Sequence, residues 1–136
     1  MGSSATAQHG RTLVAILRDE PEAAICARAI ERAAQRRLSA VNFIEAAVVI
    51  DGSRDPITCR RFDDLLKEAQ VLIEPVTEIQ ARLAREAYRD FGKGSGHPAR
   101  LNFGDCFAYS LAKVIGEPLL FKGSDFGHTD IMPTIA

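Results

Sequence analysis

The sequence predicts an α/β fold in which a small parallel sheet lies between layers of helices. Three observations lead there. Stretches with apolar residues at helical spacing alternate with short apolar runs along the chain. The helical stretches open or close on recognisable caps and breakers: Asp19-Glu20-Pro21, Ser39, Asp55-Pro56, Thr77, Gly92 and Gly116. No internal repeat and no long linker interrupts the pattern, and 136 residues suit one domain with a sizeable core.

The first eleven residues fit this pattern poorly. Ser3-Ser4-Ala5-Thr6-Ala7-Gln8 has low strand propensity and little to bury, so residues 1–11 are expected to be an atypical, irregular segment. The apolar run within Thr12–Leu17 is too short for periodicity to decide between strand and helical turn. Pro21 sits in the first turn of a helix that places Cys26, Ile30, Ala33 and Ala34 on one stripe. Arg37-Leu38 forms a brief strand, and Ser39 caps the next helix, Ala40 to about Asp51. That helix is apolar nearly all round, the pattern of a buried helix, and Glu45 is the one charge in its middle.

Asp55-Pro56 opens an amphipathic helix with Phe62, Leu65 and Leu66 on its apolar face. Val71-Leu72-Ile73 is a strand closed by Pro75. Thr77 with Gln80 has the form of a capping box, and Ile79, Leu83, Ala87 and Phe91 are the expected inward stripe of the helix that ends at Gly92. A glycine-rich loop with basic side chains, Gly92–Arg100, leads to Leu101-Asn102-Phe103-Gly104-Asp105 and a helix stopped by Gly116. Pro118 introduces the strand Leu119-Leu120-Phe121, which ends in the turn Lys122-Gly123-Ser124-Asp125. Thr129–Met132 is an expected edge strand or turn.

Composition excludes several classes. The apolar fraction of 46% and charged fraction of 26% are those of a globular protein, and the net charge of −1 gives no global pull toward nucleic acid. Cys26, Cys59 and Cys106 are scattered and form no CxxC pair, which favours reduced thiols and a cytoplasmic location. No stretch is apolar and long enough to span a membrane, and the first ten residues lack the form of a secretory signal.

The chemistry rests on three acids. Glu45 lies in an apolar helix, Asp105 at a helix start, and Asp125 just beyond a strand, where open α/β sheets bind ligands. Each has an ordinary explanation when taken singly: a wet helix edge, a favourable helix N-terminus and a turn former. Together, with no basic residue at helical spacing from Glu45, they suggest a carboxylate cluster that stays ionised only around a cation. Oxygen donors without His or Cys favour Mg²⁺ or Mn²⁺, and such a site suits phosphodiester hydrolysis. Arg89, Lys93 and Arg100, in and beside the glycine-rich loop, are candidates for holding a phosphate backbone, with a solvated surface connection as the alternative. His97 and His128 are not expected to be ligands.

Four segments, in register, carry a family resemblance. They are Leu13-Val-Ala-Ile-Leu-Arg-Asp-Glu-Pro-Glu22, Ser39-Ala-Val-Asn-Phe-Ile-Glu45, Leu101-Asn-Phe-Gly-Asp-Cys-Phe-Ala-Tyr109, and Pro118-Leu-Leu-Phe-Lys-Gly-Ser-Asp-Phe126 with Thr129-Asp-Ile131. Through these segments the chain resembles bacterial toxins of the VapC type, PIN-domain ribonucleases. The resemblance implies a PIN-like three-layer fold over residues 12–136, an acidic Mg²⁺ site, RNA cleavage, a homodimer and a VapB-like antitoxin partner. It matches Glu45, Asp105 and Asp125 to the family's second, third and fourth acids, as catalytic and metal-binding residues; Asp130 is not matched to a ligand. The departure is at the start, where His9-Gly10-Arg11 stands in place of the family's Asp-Thr-Ser.

The expected function is that of a Mg²⁺-dependent endoribonuclease toxin of a type II toxin–antitoxin system. The alternative is a catalytically impaired domain that binds antitoxin. A receiver-like module, phosphorylated on an Asp, is a third reading, weakened by the absence of an acid pair after a first strand.

Overall fold

The computed structural model describes residues 5–21, 23–32, 35–116 and 119–120. Four parallel strands, β1 (Ala5–Gln8), β2 (Gln35–Ser39), β3 (Val71–Glu74) and β4 (Leu119–Leu120), form one sheet in the order β3-β2-β1-β4. Helices α1 (Gly10–Leu17) and α2 (Ala23–Arg32) connect β1 to β2. Helices α3 (Ala40–Gly52) and α4 (Pro56–Glu68) connect β2 to β3. Helices α5 (Glu78–Phe91) and α6 (Phe103–Ile115) return the chain to the opposite edge. The sheet therefore grows one way from β1 to β3 and then switches sides, which opens a crevice at the carboxyl end of β1.

The N-terminal segment corrects an expectation. Residues 5–8, expected to be irregular, form a central strand: Ala5–Gln8 pair with Gln35–Leu38 on one side, and Ala7-Gln8 with Leu119-Leu120 on the other. Two ladders supply backbone partners that outweigh the low propensity of Ala and Gln. The run that periodicity left open, residues 12–17, is helical. It belongs to α1, whose Leu13, Ala15 and Leu17 are buried.

Two apolar clusters hold the layers together. Leu13, Leu17, Ile30, Leu38, Ala46, Ile50 and Phe62 join α1–α4 with β2. Ala84, Ala87, Leu101, Ala108, Tyr109, Leu111 and Ala112 join α5 and α6. The caps fall where the sequence places them. Ser39, Asp55 and Thr77 accept the backbone N–H groups of Val41, Ile57 and Gln80, and Gly116 closes α6 in the left-handed conformation (φ 67°).

Two faces differ from expectation. Helix α3 is not buried all round. Asn42, Ala46 and Ile50 make its inward stripe, while Ile44 and Val48 are 56% and 65% exposed. An all-apolar composition carries no phase, so it cannot say which side of a helix meets the core. In α5 the inward stripe is Gln80, Ala84 and Ala87, and Ile79 faces outward. Small alanines let α5 approach α6 closely, and the larger Ile79 is left outside. The three cysteines are free thiols.

Candidate active site

His9 directly follows β1 and caps α1. Its backbone is extended, and its ring Nδ1 accepts the Arg11 backbone N–H at 3.1 Å. That leaves Nε2–H to donate to Asp105 Oδ1 at 2.7 Å. The His9 backbone carbonyl accepts both the Thr12 N–H and the Thr12 hydroxyl, so the ring is fixed at its base as well as its tip.

Asp105 is the third residue of α6. Its Oδ2 accepts the Asn102 N–H at 2.9 Å, and its own N–H donates to Asn102 Oδ1 at 2.9 Å, a reciprocal capping box. The Arg11 guanidinium lies 3.4 Å from Oδ1, the oxygen that His9 already binds. Burial pushes the Asp105 carboxyl up, but the His9 hydrogen bond, the Asn102 N–H and the Arg11 charge outweigh it and hold the group below its ordinary value. A carboxylate only 1% exposed stays ionised because the chain's own donors surround it.

Glu45 sits in the second turn of α3 and is exposed, which corrects the expectation of a buried charge compensated by a cation. Its Oε1 accepts from Asn42 Nδ2 at 3.1 Å, and the same amide donates to the Gly104 carbonyl at 3.0 Å, tying α3 to the start of α6. The Glu45 carboxylate lies directly against Gly104, where a Cβ would collide with it. Glu45 and Asp105 are therefore brought to neighbouring residues of one helix N-terminus, whose dipole favours negative charge.

Between α1 and α3 opens a cleft of about 360 Å³, lined by His9, Arg11, Arg18, Glu20, Glu45 and Asn102 among others. Asp105 does not line it; His9, whose ring binds Asp105, does. The parallel pairing of β4 with β1 directs the end of β4 to the same end of the sheet. Asp125 itself lies outside the described residues.

A family model described as PIN domain matches residues 12–132. VapC ribonuclease Mb0625 of Mycobacterium bovis and ribonuclease VapC28 of Mycobacterium tuberculosis are each 58% identical over 119 residues, which is 88% of this chain and 90% of each relative. The chain belongs to the VapC type of PIN-domain proteins. Ribonuclease VapC42 of Mycobacterium tuberculosis is 48% identical over 121 residues, 89% of this chain and 92% of that relative. Among solved structures, a chain of a toxin–antitoxin complex from Klebsiella pneumoniae matches with a TM-score of 0.73 at 15% identity, covering 96% of this chain and 98% of the other. A chain of VapBC2 from Rickettsia felis bound to a DNA fragment from their promoter matches with a TM-score of 0.73 at 11% identity, covering 95% and 96%. Both share the fold: a small parallel sheet flanked by helices.

In this VapC-type chain the two described acids converge on the start of α6, and the side chain set against Asp105 is His9 rather than an acid. The donor set does not fit a resident Mg²⁺ as it stands. Both Asp105 oxygens are engaged by chain donors, a guanidinium sits beside one of them, and among the described residues no three His, Cys, Asp or Glu side chains gather to hold a metal. The basic candidates lie elsewhere. Arg89 pairs with Asp90 at 3.1 Å, and neither Arg89, Lys93 nor Arg100 lines the Glu45 cleft. Arg100 borders a separate hollow of about 450 Å³ with Gly94, Gly96, His97 and Pro98. His97 is a structural residue: its Nδ1 accepts the Ala99 N–H, and its ring packs edge-on against Phe91 at 4.8 Å.

Sequence reasoning passed over Asn42, Asn102, Gly104 and Arg11. Asn42 is three residues before Glu45, and Asn102 three before Asp105, the spacings of a helical side-chain pair and of a capping box. Those signals were available. The approach of Glu45 to Gly104 spans separate helices and has no local signature.

Proposed function

We propose that the chain is the toxin of a type II toxin–antitoxin pair, an endoribonuclease whose cleavage of RNA phosphodiester bonds is weak in this sequence. The observation that carries this reading is the convergence of Glu45 and Asp105 on the N-terminus of α6, at the carboxyl end of the sheet. The relatives named ribonucleases, at 58% identity, support the reaction class.

The cofactor in this reading is Mg²⁺ or Mn²⁺, with Glu45, Asp105 and Asp125 as its carboxylates. Such an ion would activate a water and offset charge on the phosphoryl oxygens. No step is derived through it, because Asp105 is held by His9 and Arg11. The ring must first leave, and activity falls in proportion to the rarity of that open form. The partners are an antitoxin and a second copy of the chain. Support for protein partners comes from α3, which leaves Ile44, Val48 and Val49 exposed, an apolar face of the kind another chain covers. The location is cytoplasmic in this reading; among the described residues no helix is long and apolar enough to cross a membrane.

The test is an RNA cleavage assay on the purified chain with added Mg²⁺. Slow cleavage is expected, abolished by Asp105→Asn and by EDTA and accelerated in His9→Asp. Cleavage that survives Asp105→Asn would sink the proposed site. The 2.7 Å His9–Asp105 contact favours a second reading, a catalytically silent domain that binds antitoxin. Capture of a co-expressed antitoxin with no cleavage at any Mg²⁺ concentration would establish it.

A further inference from the structure

The metal position and the side chains present disagree, and the disagreement is specific. Three donors already engage the two oxygens of Asp105: the His9 ring N–H and the Arg11 guanidinium on Oδ1, and the Asn102 N–H on Oδ2. A cation approaching Oδ1 must displace a ring that also caps α1 through Nδ1, and it must do so beside a guanidinium that repels it. Access is closed as well, since Asp105 is 1% exposed and the cleft is lined by His9 and not by Asp105.

We propose that His9 and Arg11 act as a built-in substitute for the divalent cation at Asp105, giving this chain a folded, metal-independent form that competes with metal binding. The substitute satisfies the same physical need, since a buried carboxylate requires positive charge or N–H donors and is indifferent to their source. The difference lies in reversibility. A bound ion exchanges with solvent, whereas His9 belongs to the strand-to-helix junction and stays with the fold. A hydrogen bond to a charged group is worth about tenfold to a hundredfold in a competing equilibrium, which sets the expected loss of metal affinity. This inference rests on the placement of Glu45 and Asp105 in one site, and not on whether RNA is cut.

Mn²⁺ binding to the full chain tests it, read by the paramagnetic signal of free Mn²⁺ and by the thermal midpoint with Mn²⁺ or EDTA. The wild type is expected to bind Mn²⁺ at least about tenfold more weakly than His9→Asp, and EDTA should leave its midpoint unchanged. In His9→Asp, Mn²⁺ should raise the midpoint, and adding Asp105→Asn should remove that rise. His9→Ala provides a second opening of the site if the aspartate variant folds poorly, and it too should bind Mn²⁺ more tightly than wild type. Equal or tighter binding by the wild type, lost in Asp105→Asn, would overturn the proposal. An absence of RNA cleavage would leave these affinities untouched and bear only on the ribonuclease reading.

Discussion

His9 Nε2 and Asp105 Oδ1 lie 2.7 Å apart although 96 residues separate them in the chain. One contact thus joins the end of the central strand to the start of α6. Removing it should be costly. His9→Ala deletes a charge-assisted hydrogen bond and the α1 cap, and leaves a buried carboxylate with its weaker partners. A loss of about 2–4 kcal/mol is expected, within the combined range for a cap and an unmet buried charge. Urea denaturation measures it. A loss below about 0.5 kcal/mol, the level of an ordinary surface substitution, would show that the contact does not hold the site together.

Gly10 makes the neighbouring junction possible. A Cβ at Gly10 would lie 2.8 Å from the Asn42 carbonyl oxygen and 3.3 Å from the Ala46 Cβ, so α1 and α3 touch there through backbone. Backbone cannot swing aside as a side-chain tip does. Gly10→Ala should therefore cost about 1–3 kcal/mol in the same denaturation experiment, the usual range for overpacking. A neutral or stabilising outcome would mean that α1 and α3 are further apart than described.

Gly104 poses the opposite case. The nearest atoms to its added Cβ would be the carboxylate of Glu45, the tip of an exposed and flexible side chain. Gly104→Ala should be nearly neutral in the wild type, because the helix propensity gained is spent on displacing Glu45 from Asn42. In a Glu45→Ala background the same change should stabilise by up to about 1 kcal/mol, the Gly-to-Ala difference in a helix. The double-mutant cycle gives the coupling directly, and additivity would show that Glu45 does not rest on Gly104.

Asp55 offers a pH handle away from the site. It caps α4, with Oδ1 accepting the Ile57 N–H at 3.1 Å and Oδ2 accepting the Thr58 hydroxyl at 2.7 Å. The Thr58 hydrogen bond, then that of Ile57, lowers its pKa from 3.8. A depressed folded value means the unfolded chain binds the proton more readily. The stabilisation is therefore present above 3.8 and is lost as pH falls through the lower folded value. Asp55→Asn keeps a capping oxygen but cannot titrate. Its stability should follow the wild type less steeply below pH 3.8, and identical acid limbs would remove Asp55 from the account.

Much of the fold is legible in the sequence because its signals are local. Ser39, Asp55, Thr77, Gly92 and Gly116 mark helix ends by their own chemistry, and the helices follow between them. Strand β1 is the opposite: Ala5–Gln8 has almost no strand signal, and its state is decided by β2 and β4 on either side. The site divides in the same way. Asp105 shows itself by its place at a helix start, and Glu45 by its isolation. What binds each of them comes from distant segments, so neither His9 on Asp105 nor Glu45 on Gly104 could be read from spacing. The exposed face of α3 escaped notice because its composition is apolar on every side.

The basic loop before α6 carries the last prediction. Its ends are joined by Lys93 N–H to the Leu101 carbonyl at 2.9 Å and Leu101 N–H to the Phe91 carbonyl at 2.8 Å, and Ala99 and Leu101 are buried beneath it. A loop anchored in this way presents Lys93 and Arg100 as exposed charges at fixed positions. If they hold an RNA backbone, each neutralises a phosphate and releases counterions. Replacing both by Gln should then weaken binding of single-stranded RNA and reduce the salt slope of log K by about 1.4, at about 0.7 per phosphate contact. Arg89, already paired with Asp90, should contribute less than either. The urea midpoint of the double variant should stay at the wild-type value, since exposed charges with no ion pair among the described residues add little to stability. An unchanged salt slope would assign the loop a purely structural task, closing the chain between α5 and α6, and would move the search for RNA contacts to Arg11 and Arg18 on the rim of the Glu45 cleft.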